Sequence, residues 1–226
     1  MFALTFSNSI LRDLVLFLVP MVLSLSVHEY AHAWVAWRLG DDTAAREGRL
    51  TLSPLAHLDP FGSLLVPAFN VLVGGFAFIG WAKPVPVRPE RFGRKVTMRT
   101  GMILTAIAGP LSNLALAILA IATYAVLLRF APQTLFNASG ATGIAGLLDA
   151  AFKLNIGLFV FNLLPLPPLD GSRLLPRSMD GFVAAVSPYS FILLLVIINI
   201  GILRDLLIAR PVLLTTSLLQ LLFGIQ

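Results

Sequence analysis

His28-Glu29-Tyr30-Ala31-His32 sets two imidazoles four residues apart, with a carboxylate beside the first. On a helix, residues i and i+4 share a face, so both rings can reach one ion. Neutral imidazole is a good zinc ligand, and Glu29 stands where a carboxylate can take a proton from an activated water. The plainer reading is a helix end with two ordinary histidines and a surface glutamate. The surroundings argue against it. The three ionisable groups close an otherwise apolar run, and such groups in a membrane segment are costly and mark function. The chain has three histidines, and two of them fall here.

A catalytic zinc takes three protein ligands and keeps one position open. With no cysteine in the chain, thiolate ligands and disulfides are excluded, so the third donor is another His, Asp or Glu. Asp170 is one candidate: it follows Pro165-Leu166-Pro167-Pro168-Leu169 at the end of a second apolar run. Proline-rich chain cannot continue a helix cleanly, so an irregular backbone can aim this carboxylate inward. Its plainer reading is an aspartate at the membrane surface. His57, in the turn His57-Leu58-Asp59-Pro60, is the rival donor, although a lone loop histidine is more often structural or solvated.

These residues must be carried by membrane helices. Of 226 residues, 58% are hydrophobic and 12% charged, and the mean hydropathy is +0.89. Soluble domains run at about 45–50% apolar and about 25% charged, so a bilayer must serve as part of the solvent. The expected architecture is an all-α polytopic membrane protein, a single integral domain over residues 1–226 with its core at about 9–175. Four to six transmembrane or re-entrant segments fit the length. Spans are expected near 10–37, 100–128, 147–164 and 188–203, and 212–225 reads as too short to cross and as interfacial. Residues 61–81 are apolar but interrupted by Gly62, Pro67, Gly74, Gly75 and Gly80, which favours a re-entrant hairpin over a span. Trp81-Ala82-Lys83-Pro84-Val85-Pro86-Val87 reads as a small edge strand or a loop, since proline is tolerated at sheet edges.

The net charge of +5 does not point to nucleic acid, because the positive residues sit in short loops between apolar runs. By the positive-inside rule the segments 38–60, 83–99 and 171–180 face the cytoplasm. The apolar N-terminal run has no basic region before it and no small-residue cleavage site, so it is expected to be retained. The expected setting is a prokaryotic cell (inner) membrane with the site toward the cytoplasmic side. Nothing in the sequence specifies an oligomeric state.

Three motifs together resemble the site-2 protease family of intramembrane zinc metalloproteases. They are His28-Glu29-x-x-His32, Gly109-Pro110-Leu111-Ser112-Asn113, and Asn162-Leu163-Leu164-Pro165 followed by Leu169-Asp170-Gly171. Their order and spacing cover about residues 20–175. The likeness is to short prokaryotic members without a PDZ or cystathionine-synthase-type regulatory domain. It implies that His28, His32 and Asp170 bind Zn2+, that Glu29 is the general base, and that Asn162 lies near the scissile carbonyl. The implied partner, besides the lipid bilayer, is a membrane protein substrate with a transmembrane helix.

Asn162 has a physical case of its own, since a side-chain amide can donate to a developing oxyanion; the competing role is an inter-helix hydrogen bond. Gly109-Pro110 reads as helix-shaping, with no chemistry assigned. The expected activity is hydrolysis of peptide bonds in or near transmembrane segments. The alternatives are a zinc transporter, which would spread ligands along a path on several spans, and an inactive relative that binds membrane helices.

Overall fold

The computed structural model describes residues 8–66, 68–69, 81–135 and 143–225. Within them, five helices are long and apolar enough to cross a membrane. They are α1 (Asn8–Arg38), α2 (Met98–Phe130), α3 (Ile144–Asn162), α4 (Arg177–Ile197) and α5 (Gly201–Leu222). The protein is an all-α integral membrane protein, as its composition requires.

The three site-bearing helices pack closely on one another. Ala117, Ala120 and Ile121 of α2 bury against Phe152 and Ile156 of α3 and Leu219 of α5, while Met21 and Leu25 of α1 meet Leu154 of α3. Between helices in lipid there is little hydrophobic drive, so small residues that allow close dispersion contact hold the bundle. Large apolar side chains such as Leu119, Phe130, Ile202 and Leu214 point outward, where lipid can cover them.

Local chemistry fixes the ends of these helices. α1 stops at Gly40, whose φ of 110° is one that L side chains rarely adopt. Its missing Cβ also lets the backbone of Arg91 and Gly93 approach, and Gly93 N–H donates to Leu39 O at 2.7 Å. Arg46 and Arg91 both reach Asp42. The Arg46 hydrogen bond, ahead of Arg91, holds that carboxyl below its ordinary range. The C-terminal end of α1 and the loop leading into α2 are thus tied together at one end of the bundle. Thr97 caps α2 by accepting from Thr100 N–H at 3.1 Å. The Arg99 guanidinium donates to the Leu175 carbonyl, pinning the loop after α3 to the start of α2.

Two sequence expectations need correction. The segment 81–87 is not an edge strand, and no strand occurs among the described residues. Pro84 and Pro86 carry no N–H, and other partners take much of the remaining backbone capacity. Trp81 N–H goes to Gly62 O (3.1 Å) and Lys83 N–H to His57 O (2.9 Å). Arg49 donates to Lys83 O (2.6 Å) and Pro84 O (3.3 Å). The segment is an extended strap held by side chains and loop backbone.

The second correction concerns the C-terminal end, where 201–222 forms one helix of 22 residues rather than a short interfacial piece. Arg210 pairs with Asp205 at 2.8 Å, which neutralises charge within the helix. A wider π turn at Asp205–Ala209 precedes Pro211, and such turns absorb the proline's missing bond.

Most of the proposed re-entrant segment 61–81 lies outside the described residues. Its two ends are described and lie together: besides the Trp81–Gly62 bond, Ser63 Oγ donates to Trp81 O at 2.7 Å.

Candidate active site

On α1, residues 24, 28 and 32 follow one another at one-turn spacing and point toward α2 and α3. His28, Glu29 and His32 are all buried. Asp170 arrives from the turn after α3. That turn is compact because residue 171 has no Cβ: one there would collide with the carbonyls of Leu163 and Leu164. Gly109 of α2 plays a comparable part against α1, since a Cβ at 109 would strike the rings of His32 and His28. The glycines of the second and third motifs are therefore close-approach positions that bring α2 and the Asp170 turn onto the histidine pair.

His28 Nε2 and His32 Nε2 lie 3.0 Å apart, and Asp170 Oδ2 is 3.2 Å from each. These three are the group of described residues that can hold a metal ion. The opposite ring nitrogens are engaged. His32 Nδ1 is 2.7 Å from Thr105 O, and His28 Nδ1 is 2.5 Å from Asn113 Oδ1. A carbonyl oxygen can only accept, so each Nδ1 carries a proton, and in its neutral form each ring turns a bare Nε2 inward. Two lone pairs and a carboxylate oxygen then converge on one point, an arrangement that a cation stabilises. A tetrahedral zinc with ligand distances of about 2.0–2.1 Å separates its ligands by about 3.3 Å. The observed triangle is close to that, so the residues fit zinc.

A cavity of about 390 Å3 opens beside the triangle and is lined by Glu29, Trp81, Val85, Asn162 and Arg173 among others. Glu29 Oε2 accepts the Val85 backbone N–H at 2.9 Å, so the strap fixes the carboxylate at the cavity wall. Asn162 donates to Leu158 O, one turn back on α3, at 3.0 Å. A second, more apolar groove of about 720 Å3 shares Trp81, Phe161, Pro168, Leu169 and Arg173 with the first and runs along α4.

His57 lies elsewhere. Its ring is buried, and its Nε2 donates to Thr51 O at 2.8 Å. It is not part of the metal-capable group.

Proteins similar in sequence to this chain are named by their chemistry. Over 183 residues, 79% of this chain and 78% of the relative, the sequence is 42% identical to "Putative zinc metalloprotease YwhC" of Bacillus subtilis (strain 168). The chain belongs to this zinc metalloprotease family. Over 157 residues, 70% of the chain, it is 37% identical to Rip2 of Mycobacterium tuberculosis (strain H37Rv) and 34% identical to Rip2 of Mycolicibacterium smegmatis, both named in the same words. The match spans 54% of each Rip2 chain. No family model and no solved structure matches.

For this metalloprotease, Zn2+ is the cofactor that relatives and geometry both indicate. Some of its site residues were not singled out from the sequence. Asn113 is marked in the sequence only by its motif, and Asn155, Ser24, the Thr105 carbonyl and the Val85 N–H by none. Ser24 stands one turn before His28 on the same helix face, and Asn155 two turns before Asn162. A search for polar residues in register with the motifs would have found both. Backbone groups carry no such signal.

Proposed function

We propose that this chain is an intramembrane protease of the site-2 type, hydrolysing peptide bonds in or beside transmembrane segments of membrane proteins. The observation that carries this reading is the place of the metal-capable triangle. Its histidines lie within the membrane-spanning helix α1 and its aspartate in the turn after α3, with its cavity continuous with an apolar groove along α4. An unwinding transmembrane helix matches such a groove chemically.

His28, His32 and Asp170 are the ligands in this reading. Bound zinc supplies the Lewis acidity that makes water a usable nucleophile near neutral pH. Glu29 accepts the proton of the attacking water and passes it to the leaving amine, and its bond to Val85 keeps it aimed. Asn162 has a second amide N–H, which can donate to the scissile carbonyl oxygen as charge develops there. The Lys and Arg distribution supports a site facing the cytoplasm, and the bacterial relatives support a prokaryotic inner membrane. The substrate partner is a protein with a transmembrane helix.

The test is cleavage of a transmembrane peptide by the purified full chain in liposomes. Cleavage that a zinc chelator abolishes and added zinc restores is expected. A protein that holds zinc but cuts a soluble peptide and no membrane-inserted one would overturn the intramembrane assignment.

A further inference from the structure

Three fully buried polar side chains from three helices form a ladder behind the candidate metal ligands. Asn113 of α2, Asn155 of α3 and Ser24 of α1 are 0%, 2% and 2% exposed. Asn113 Nδ2 donates to Asn155 Oδ1 at 2.9 Å. Asn155 Nδ2 donates to Ser24 Oγ at 2.9 Å and to the Ala151 carbonyl at 2.8 Å. Such groups are costly in a membrane helix bundle unless every one is matched, and here they match one another in a single sequence.

The direction of that sequence is fixed at one end. A carboxamide can face a neighbour with its oxygen or its nitrogen, and the two look alike. The Ala151 carbonyl removes the choice, because it can only accept. Asn155 must turn Nδ2 toward it, which leaves Oδ1 facing Asn113. Asn113 must then turn Nδ2 to Asn155 and Oδ1 to His28. His28 must therefore carry its proton on Nδ1 and present Nε2 to Asp170 and His32. His32 receives the same instruction directly, from the Thr105 carbonyl.

We propose that Asn155, acting through Asn113 and anchored by the Ala151 carbonyl and Ser24, is a positioning residue that sets the ring orientation of His28 and so tunes zinc affinity. This rests on His28 being a zinc ligand. Neither asparagine touches the ion. Partners of this outer kind are worth about 10–100-fold in metal affinity. Ser24 is the lesser member, because the Ala151 carbonyl alone can hold the Asn155 amide.

The experiment uses the zinc-loaded full chain in detergent, with histidines labelled by 15N, and affinity read by competition with a chelator. Asn155→Leu and Asn113→Leu should each weaken zinc binding about 10–100-fold, and Ser24→Ala about threefold or less. In the wild type, two imidazole Nδ1–H protons should be protected from exchange, those of His28 and His32. In Asn155→Leu the His28 proton should lose protection while the His32 proton keeps it. A general loss of packing would affect both, so His32 is the internal control. Wild-type zinc affinity in Asn155→Leu, or equal loss at both histidines, would overturn the proposal. If the variants do not fold, an unprotected His28 Nδ1–H in the wild type would overturn it as well. His28→Ala is measured alongside. Full zinc retention there would refute the ligand set itself, whereas zinc loss there with unchanged affinity in Asn155→Leu would refute only the ladder.

Discussion

The backbone N–H of Val85 holds Glu29 Oε2 at 2.9 Å. The strap is itself held by Arg49, His57 and Gly62, so a carboxylate on a membrane helix is aimed by a loop more than fifty positions away in sequence. Loss of the carboxylate charge should therefore leave the ligands untouched. Glu29→Gln is expected to retain zinc while peptide hydrolysis falls at least about 10²-fold, the lower end of what general acid–base catalysis contributes. Zinc analysis and cleavage of a membrane-inserted peptide check it. Undiminished cleavage would remove Glu29 from the mechanism.

The choice of third ligand is open to a paired substitution. Asp170→Ala should release most of the zinc and abolish cleavage, because two imidazoles alone do not complete the site. His57→Ala should keep zinc. Its cost is stability, about 1–3 kcal/mol for a buried hydrogen bond and the space left by the ring. Metal content and thermal unfolding distinguish the two, and the reverse pattern would make His57 the ligand.

Gly109 makes a sharper packing prediction. A methyl there meets both ligand imidazoles, and neither can move without leaving its Nδ1 partner. Gly109→Ala should cost about 1–3 kcal/mol, the usual range for overpacking, and should lower zinc occupancy as well. Unfolding and metal content in one preparation would show both effects. Full occupancy in Gly109→Ala would mean that the helices separate more easily than their contacts suggest.

Topology can be labelled directly because the chain has no cysteine. Ser53 and Gly93 are both exposed, and the Gly93–Leu39 bond ties their loops to one end of the bundle. Cysteines introduced at 53 and 93 should react with an impermeant reagent from the same face, which we expect to be the cytoplasmic one. Labelling from opposite faces would mean that 61–81 crosses the membrane.

Some of this was legible without coordinates because it depends on short stretches of chain. The i, i+4 spacing of His28 and His32 puts two donors on one helix face wherever that helix goes. The scarcity of charge forces membrane helices whatever their packing. The interfacial reading of the C-terminal end rests on the shortness of 212–225; the helix in fact begins at Gly201 and so takes Arg204, Asp205 and Arg210 into the span, at a cost. Pairing of Asp205 with Arg210 along the helix lowers that cost. Of the two readings of 81–87, the loop holds and the edge strand does not, because prolines among apolar residues also suit a strap held by side chains and loop backbone.

The sequence by itself determined the solvent, the histidine pair and the adjacent base, since each follows from composition or from the geometry of one helical turn. The tertiary structure decided that Asp170 closes the triangle while His57 turns to Thr51. It also placed Asn113 behind His28 and the Val85 N–H on Glu29. Those outcomes depend on which carbonyl or N–H a fold brings within about 3 Å of a side chain. Every residue but proline offers the same two backbone groups, so only packing can decide which of them is used.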